Sequence, residues 1–115
     1  MSEAEHAAPD PVVTDNPAES RFEIHVGGER AGLVQYHLRG HDEGHGALIS
    51  LVHTEVDDRF QGMGLASKLA RGALDDARAR GLGVLPYCPY IKSWIAKHPD
   101  YLDLVPEDRR AEFAL

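Results

Sequence analysis

Two glycines one residue apart, Gly62 and Gly64 in RFQGMGLASKL, stand directly before a run with the apolar spacing of a helix. Glycine at a helix start offers no capping side chain and costs backbone entropy, so the pattern suits a place where a ligand approaches bare backbone N–H groups. The first helical turn leaves those groups unpaired at the positive end of the dipole, which makes a phosphate-like anion the natural partner. Other residues also carry reactive groups. His53 and Glu55 lie two apart in LVHTEV, where strand parity turns them to one side and Thr54 and Val56 to the other unless a bulge intervenes. Cys88, the single cysteine, sits in PYCPY. His37, His41 and His45 recur every four residues, but they straddle a strand end and a glycine-rich turn and have no cysteine beside them, so no metal site is expected there.

The elements that must hold these residues follow from periodicity. Phe22, Ile24 and Val26 alternate with polar residues before the Gly27-Gly28 turn; residues 30–39 repeat the alternation and end in GHDEGHG; residues 47–56, ALISLVHTEV, are apolar enough for a central strand. Short connections make these three an antiparallel meander. After DDRFQG comes a helix of about eighteen residues ending at Gly81, with Leu65, Leu69, Ala73 and Ala77 on one face and Lys68, Arg71 and Arg78 on the other. GVLPYC, residues 83–88, is a short buried strand, laid parallel to the strand ending near Val56 by a right-handed crossover. A second short helix runs from Ile91 to His98, where His98-Pro99 stops it, and another is expected around residues 107–113. The fold class is therefore α/β, a mixed sheet in β-β-β-α-β-α order, mostly antiparallel with one parallel pair. Residues 1–19, with three prolines and the unbalanced acids Glu3, Glu5, Asp10, Asp15 and Glu19, are expected as a disordered acidic tail before a single domain over residues 20–115.

Two nucleotide-binding motifs fail at the glycine turn. A P-loop needs G-x-x-x-x-G-K-[ST], and GMGLASK lacks both the second glycine and the Lys-Ser pair at the required places. A dinucleotide fold wants a third small residue where Ser67 stands and an acid at the end of the next strand, which here ends in Pro86-Tyr87-Cys88.

Arg59-x-x-Gly62-x-Gly64 resembles the Arg/Gln-x-x-Gly-x-Gly/Ala motif of the GNAT superfamily of acyl-CoA-dependent N-acetyltransferases, in the same place between a long strand and a long helix. Residues 51–105 further resemble the minimal, single-domain branch of that superfamily, with its HTEV-type strand, P-x-C-x-[FY] segment and H-P-x-Y segment. The resemblance covers roughly residues 21–105. It implies an acetyl-CoA-dependent transferase moving an acetyl group to a primary amine by direct sequential transfer. It also implies that backbone amides of Gln61, Gly62, Met63, Gly64 and Leu65 hold the pyrophosphate with Arg59 beside it and Lys68 one turn on. The motif strand and its parallel neighbour would splay to admit pantetheine along Thr54 and Val56, placing the acyl group near His53, Glu55 and Cys88. On that basis Glu55 or His53 is the candidate base, and Cys88, Tyr87 or Tyr90 the candidate acid. Cys88 as a covalent nucleophile is the lesser alternative, and Trp94 reads as packing. The chain lacks the first helices and last strands of full-length relatives, which leaves the amine acceptor unidentified and keeps a non-catalytic acyl-CoA-binding or interaction module as the alternative function.

Composition limits the remaining classes. A net charge of −7 in 115 residues disfavours a nucleic-acid partner, since such proteins rely on basic patches. No apolar run approaches the ~20 residues of a membrane span, and the acidic N-terminal stretch resembles neither a secretory signal nor a mitochondrial presequence, so no membrane association and a cytoplasmic location are expected. The expected cosubstrate is acetyl-CoA, with no metal. Oligomeric state is not legible.

Overall fold

The structure, a computed structural model, describes residues 10–42 and 46–115, with the side chains of residues 41 and 42 outside the description. Five strands form one sheet in the order β1-β2-β3-β4-β5: β1 Val12–Asn16, β2 Arg21–Val26, β3 Glu29–Asp42, β4 Gly46–Val56 and β5 Gly83–Pro86. The first four pair antiparallel and β5 lies parallel to β4, so the α/β class and the parallel pair stand as expected. Helix α1, Leu65–Ala79, crosses from β4 to β5, and α2, Pro89–Lys97, follows β5. The chain closes with 3-10 turns at Pro99–Leu104 and Glu107–Phe113.

One strand is additional. Instead of remaining free through residue 19, the chain forms β1 against β2, pairing Val12 with His25 through to Asn16 with Arg21. Composition pointed to a tail because three prolines and several acids dilute the apolar content, but tertiary contacts outweigh that local tendency. Val13 lies against Gly72 of α1, where an added Cβ would come within 2.9 Å of it, and Tyr36 donates a 2.6 Å hydrogen bond to Asp15. Residues 1–9 of the expected tail, and His45 of the histidine series, lie outside the described residues.

The two faces of the sheet differ. Residues directly opposite in adjacent strands share a face, so Phe22, Val34 and Thr54 form one row, and Glu23, Leu33 and Glu55 form a row on the other side. Helix α1 covers the first face: Leu69 approaches Gly32, and Leu65, Leu69, Ala73, Leu74 and Ala77 are buried with Phe22, Ile24 and Val34. On the second face Glu23 is 7% exposed because Arg21, Asn16 and His25 surround its carboxylate. Gly81 keeps a left-handed φ of 69° just past α1, as a C-terminal glycine should.

Candidate functional site

The parallel pair is short, and that shortness makes the site. β5 pairs with β4 only from Leu48 to Leu51, and the Cys88 N–H adds one last bond to the Leu51 carbonyl at 2.8 Å. Pro86 and Pro89, which lack N–H groups, then turn the chain out of the sheet and into the first turn of α2. β4 continues to Val56 beside β3 alone. Its far edge over residues 52–56 is left without a strand partner, and the two strands diverge.

The glycine turn lies at the open end of this fork. Asp57 caps a short 3-10 turn, Asp58–Phe60, by accepting from the Arg59 N–H, and the Gln61 side-chain amide donates to the Val56 carbonyl at 3.0 Å, tying the turn to the strand end. Gly62 and Gly64 have φ of 84° and 71°, a left-handed backbone that side chains resist, and nothing lies within 4 Å of where a Cβ would stand on either. The glycines thus serve the backbone path itself and leave open space above it. Gly64 caps α1 without a side-chain hydrogen bond, and the first turn holds no acid. An anion would meet unopposed N–H groups and the positive dipole end.

A cleft of about 230 Å³ joins these parts, lined by Val56, Gln61, Gly62, Gly64, Ser67 and Tyr90 among others. It runs from the helix start to the end of β4 and is walled by α2 across the fork. Partial burial pushes the Tyr90 phenol above its ordinary value, and the neighbouring Ser67 hydroxyl opposes that shift.

The expected site residues divide by face. Thr54 and Cys88 come together across the fork, Oγ1 to Sγ at 3.2 Å, with Cys88 3% exposed. His53 and Glu55 stand on the opposite, solvent face, Nε2 to Oε2 at 3.4 Å, their side chains 54% and 62% exposed. A bulge leaves Val52 without a partner opposite β3, but it precedes His53, so the parity of residues 53–56 is kept. The structure therefore does not gather Cys88, His53 and Glu55 into one cluster. Arg59 is committed to Glu29 and lies over the Phe60 ring rather than in the cleft. Lys68 is exposed on the first turn of α1, and Met63 is exposed at the tip of the turn. Tyr87 turns away to pack on Phe113 and reach Glu112. His98 ends α2 and stacks on Trp94 at 3.7 Å between ring centroids.

Phe60, Ala66 and Ser67 are the lining residues that sequence reasoning passed over, and Ser67 is the polar one among them. Its signal was position: one turn after Gly62-x-Gly64, where the dinucleotide motif would have a third small residue, it faces the cleft. Among the described residues no group of His, Cys, Asp or Glu could hold a metal, and no helix is long and apolar enough to cross a membrane.

Comparison with known proteins agrees with this geometry. A family model described as GCN5-related N-acetyl-transferase matches residues 21–104. Protein NATD1 of Gallus gallus and of Mus musculus is 36% identical over 52 residues, 45% of this chain and 47% of each relative, and NATD1 of Homo sapiens is also 36% identical over 52 residues. The chain thus matches about half the length of these curated relatives. A crystal structure of ribosomal-protein-alanine N-acetyltransferase from Brucella melitensis biovar Abortus 2308 superposes with a TM-score of 0.51 at 23% identity, over 56% of this chain and 44% of that one. That likeness is one of fold, the mixed sheet with its parallel pair.

Proposed function

From the premise that the chain belongs to the GCN5-related N-acetyl-transferase family, shown by the match over residues 21–104, we propose that it is an acetyl-CoA-dependent N-acetyltransferase acting on a primary amine. One observation carries the reading: the cleft that joins the uncapped start of α1 to the unpaired edge of β4 and the wall of α2. The residues present fit the cosubstrate. Backbone N–H groups from Gln61 to Leu65 take the pyrophosphate, glycine keeps the approach clear, and the free edge of residues 52–56 offers strand-like hydrogen bonds to an extended amide-bearing arm.

When bound, acetyl-CoA supplies an acetyl group activated as a thioester. The chain supplies proton management and placement. On the solvent face Glu55, paired with His53, takes a proton from the incoming ammonium, so that the amine attacks as a neutral nucleophile. The new N–C bond would form as the C–S bond breaks, Tyr90 in the cleft wall would give its phenolic proton to the departing sulfur, and the second proton lost by the nitrogen as the amide forms would return through water to the Tyr90 phenolate. Cys88 is buried and bonded to Thr54, with His53 and Glu55 across the sheet from it, which favours direct transfer over an acyl-cysteine.

Calorimetric titration of acetyl-CoA into the wild type and into Ala66→Asp tests the site. Aspartate in the first turn of α1 complements the dipole and should hold or raise stability, while it repels phosphate. Wild-type binding with at least a roughly tenfold loss in Ala66→Asp, about 1.4 kcal/mol, is expected; no binding by the wild type would end the transferase reading. Turnover with a panel of amines then separates an enzyme from a module that only binds the cofactor.

A further inference from the structure

A second hollow lies beside the proposed base. It has a volume of about 190 Å³ and spans the end of the β3–β4 ladder, with Arg30 and Leu33 on one side and Glu55, Val56 and Asp57 on the other. Val56 also lines the cofactor cleft, so the two spaces share a wall. The frame of the hollow is fixed. The Asp57 N–H donates to the Ala31 carbonyl at 2.8 Å, and Gly32 lets the strands close on each other, since an added Cβ would come within 2.6 Å of the Glu55 carbonyl oxygen. Leu33, opposite Glu55 in the ladder, is partly buried and gives the lining an apolar patch.

Charge distinguishes this hollow. Its lining carries one cation, Arg30, and two anions, Glu55 and Asp57, yet among the described residues no ion pair joins Arg30 to either carboxylate. Arg30 stands 3.8 Å from Glu23, beyond hydrogen-bond distance, with its side chain 49% exposed. Glu23 does not depend on it. Arg21 donates to that carboxylate at 2.6 Å and Asn16 at 3.0 Å, and these two bonds lead in holding the Glu23 carboxyl below its ordinary value. Arg59 pairs with Glu29 and gives Asp57 only its backbone N–H, at 3.2 Å. Opposite charges therefore line one space with no bridge between them. A ligand that carries both charges completes the bridge, whereas a plain alkylamine leaves the guanidinium unanswered and a diamine is repelled by it.

We propose that this hollow takes an amino acid as the amine acceptor, with its ammonium at Glu55 and Asp57 and its carboxylate at Arg30, an assignment that rests on the transferase reading for what becomes of the amine. Glu55 then holds the ammonium before it takes the proton. The charge arrangement itself belongs to the cofactor-free protein, so binding is measurable without acetyl-CoA.

The test is an NMR titration of backbone amide shifts in the free protein with L-alanine, β-alanine and γ-aminobutyrate, each set against molecules that keep one of its two charges. Ethylamine and propionate serve for the first two, and propylamine and butyrate for the third. At least one amino acid should move the amides of residues 30–33 and 55–57 with an affinity about tenfold above that of either single-charge analogue. Arg30→Gln should remove that advantage, and Arg30→Lys, which keeps the charge without the planar fork, should retain part of it. In turnover with acetyl-CoA, the preference in kcat/KM for that amino acid over its alkylamine should fall about tenfold in Arg30→Gln; comparing the ratio between proteins cancels the unequal basicity of the two amines. Shifts absent for all three amino acids, matched by the single-charge analogues, or persisting in a folded Arg30→Gln overturn the assignment. In a protein that binds acetyl-CoA, a bound amino acid that is not turned over, or a ratio that Arg30→Gln leaves unmoved, overturns the acceptor role. Failure of acetyl-CoA itself to bind defeats the transferase reading instead, and the titration still decides what the hollow holds.

Discussion

Tyr36 is where a single side chain most clearly sets a solution property. Burial, reinforced by its hydrogen bond to Asp15, pushes its phenol up to about 12 from an ordinary value of 10.0. Asp15 is also approached by Arg80, which bonds Asp76, so one carboxylate links β1, β3 and α1. The sign is fixed by the direction of the shift: a folded-state value above the unfolded one stabilises fully below about pH 10 and is lost as pH rises toward 12. Wild-type stability should fall by about 2 kcal/mol across that window beyond any general alkaline loss. Tyr36→Phe should begin less stable by about 1 kcal/mol, from the missing hydrogen bond, and show a flatter alkaline limb in urea unfolding at several pH values. A limb of equal slope in both proteins would assign the alkaline loss to other groups. The histidine and glutamate of HTEV illustrate the same scale from the site's side. Parity on the strand told which of them share a face, and the structure keeps that parity; which face meets Cys88 depended on where α1 packs.

At the scale of elements, the joint between β1 and α1 explains an otherwise costly glycine. Gly72 sits inside α1, where glycine costs about 1 kcal/mol relative to alanine. It is retained because Val13 fills its place: an added Cβ would meet Val13 side-chain carbons at 2.9, 3.0 and 3.1 Å. Gly72→Ala should therefore destabilise the protein by about 1–2 kcal/mol despite the better helix former. Val13→Ala should lose its own packing, and the double variant should recover much of the Gly72→Ala cost, a coupling of about 1 kcal/mol or more in a double-mutant cycle followed by urea denaturation. Additive losses would mean that β1 does not hold its place on α1. The same joint accounts for the strand that composition concealed. Nothing local in VVTDN outweighs the surrounding prolines and acids, and only a glycine gap on a helix sixty residues away, with Tyr36 and Arg80 nearby, makes the segment worth ordering. The fork at the other end of the sheet was legible only through the family resemblance; periodicity carried the strand on to Cys88, whereas the chain leaves the ladder after Pro86 and enters α2 at Pro89.

Across the whole molecule, the site is assembled from a strand that outlasts its partner, a turn that bares its backbone, and a helix wall that supplies a phenol. Saturating acetyl-CoA should therefore protect a discontinuous set of amides from hydrogen exchange, residues 52–56, 61–67 and the first turn of α2. At a concentration a hundred times Kd it should raise global stability by about 2.7 kcal/mol. Protection limited to the glycine turn would mean that an anion binds there without an extended arm in the fork. The amino-acid sequence by itself determined the order of most elements, the amphipathic face of α1 and the glycine turn, because each follows from local periodicity or from the left-handed backbone that glycine alone accepts at no cost. Even the family was legible there, since four short segments keep their order along the chain. Only the tertiary structure decided that β1 joins the sheet, that Thr54 rather than His53 or Glu55 meets Cys88, that Arg59 turns to Glu29, and that Trp94 donates to Ser67 across the two helices. Those outcomes depend on which face α1 covers and on how α2 lies beside it, and contacts between residues far apart in the chain leave no mark in the local spacing of either partner.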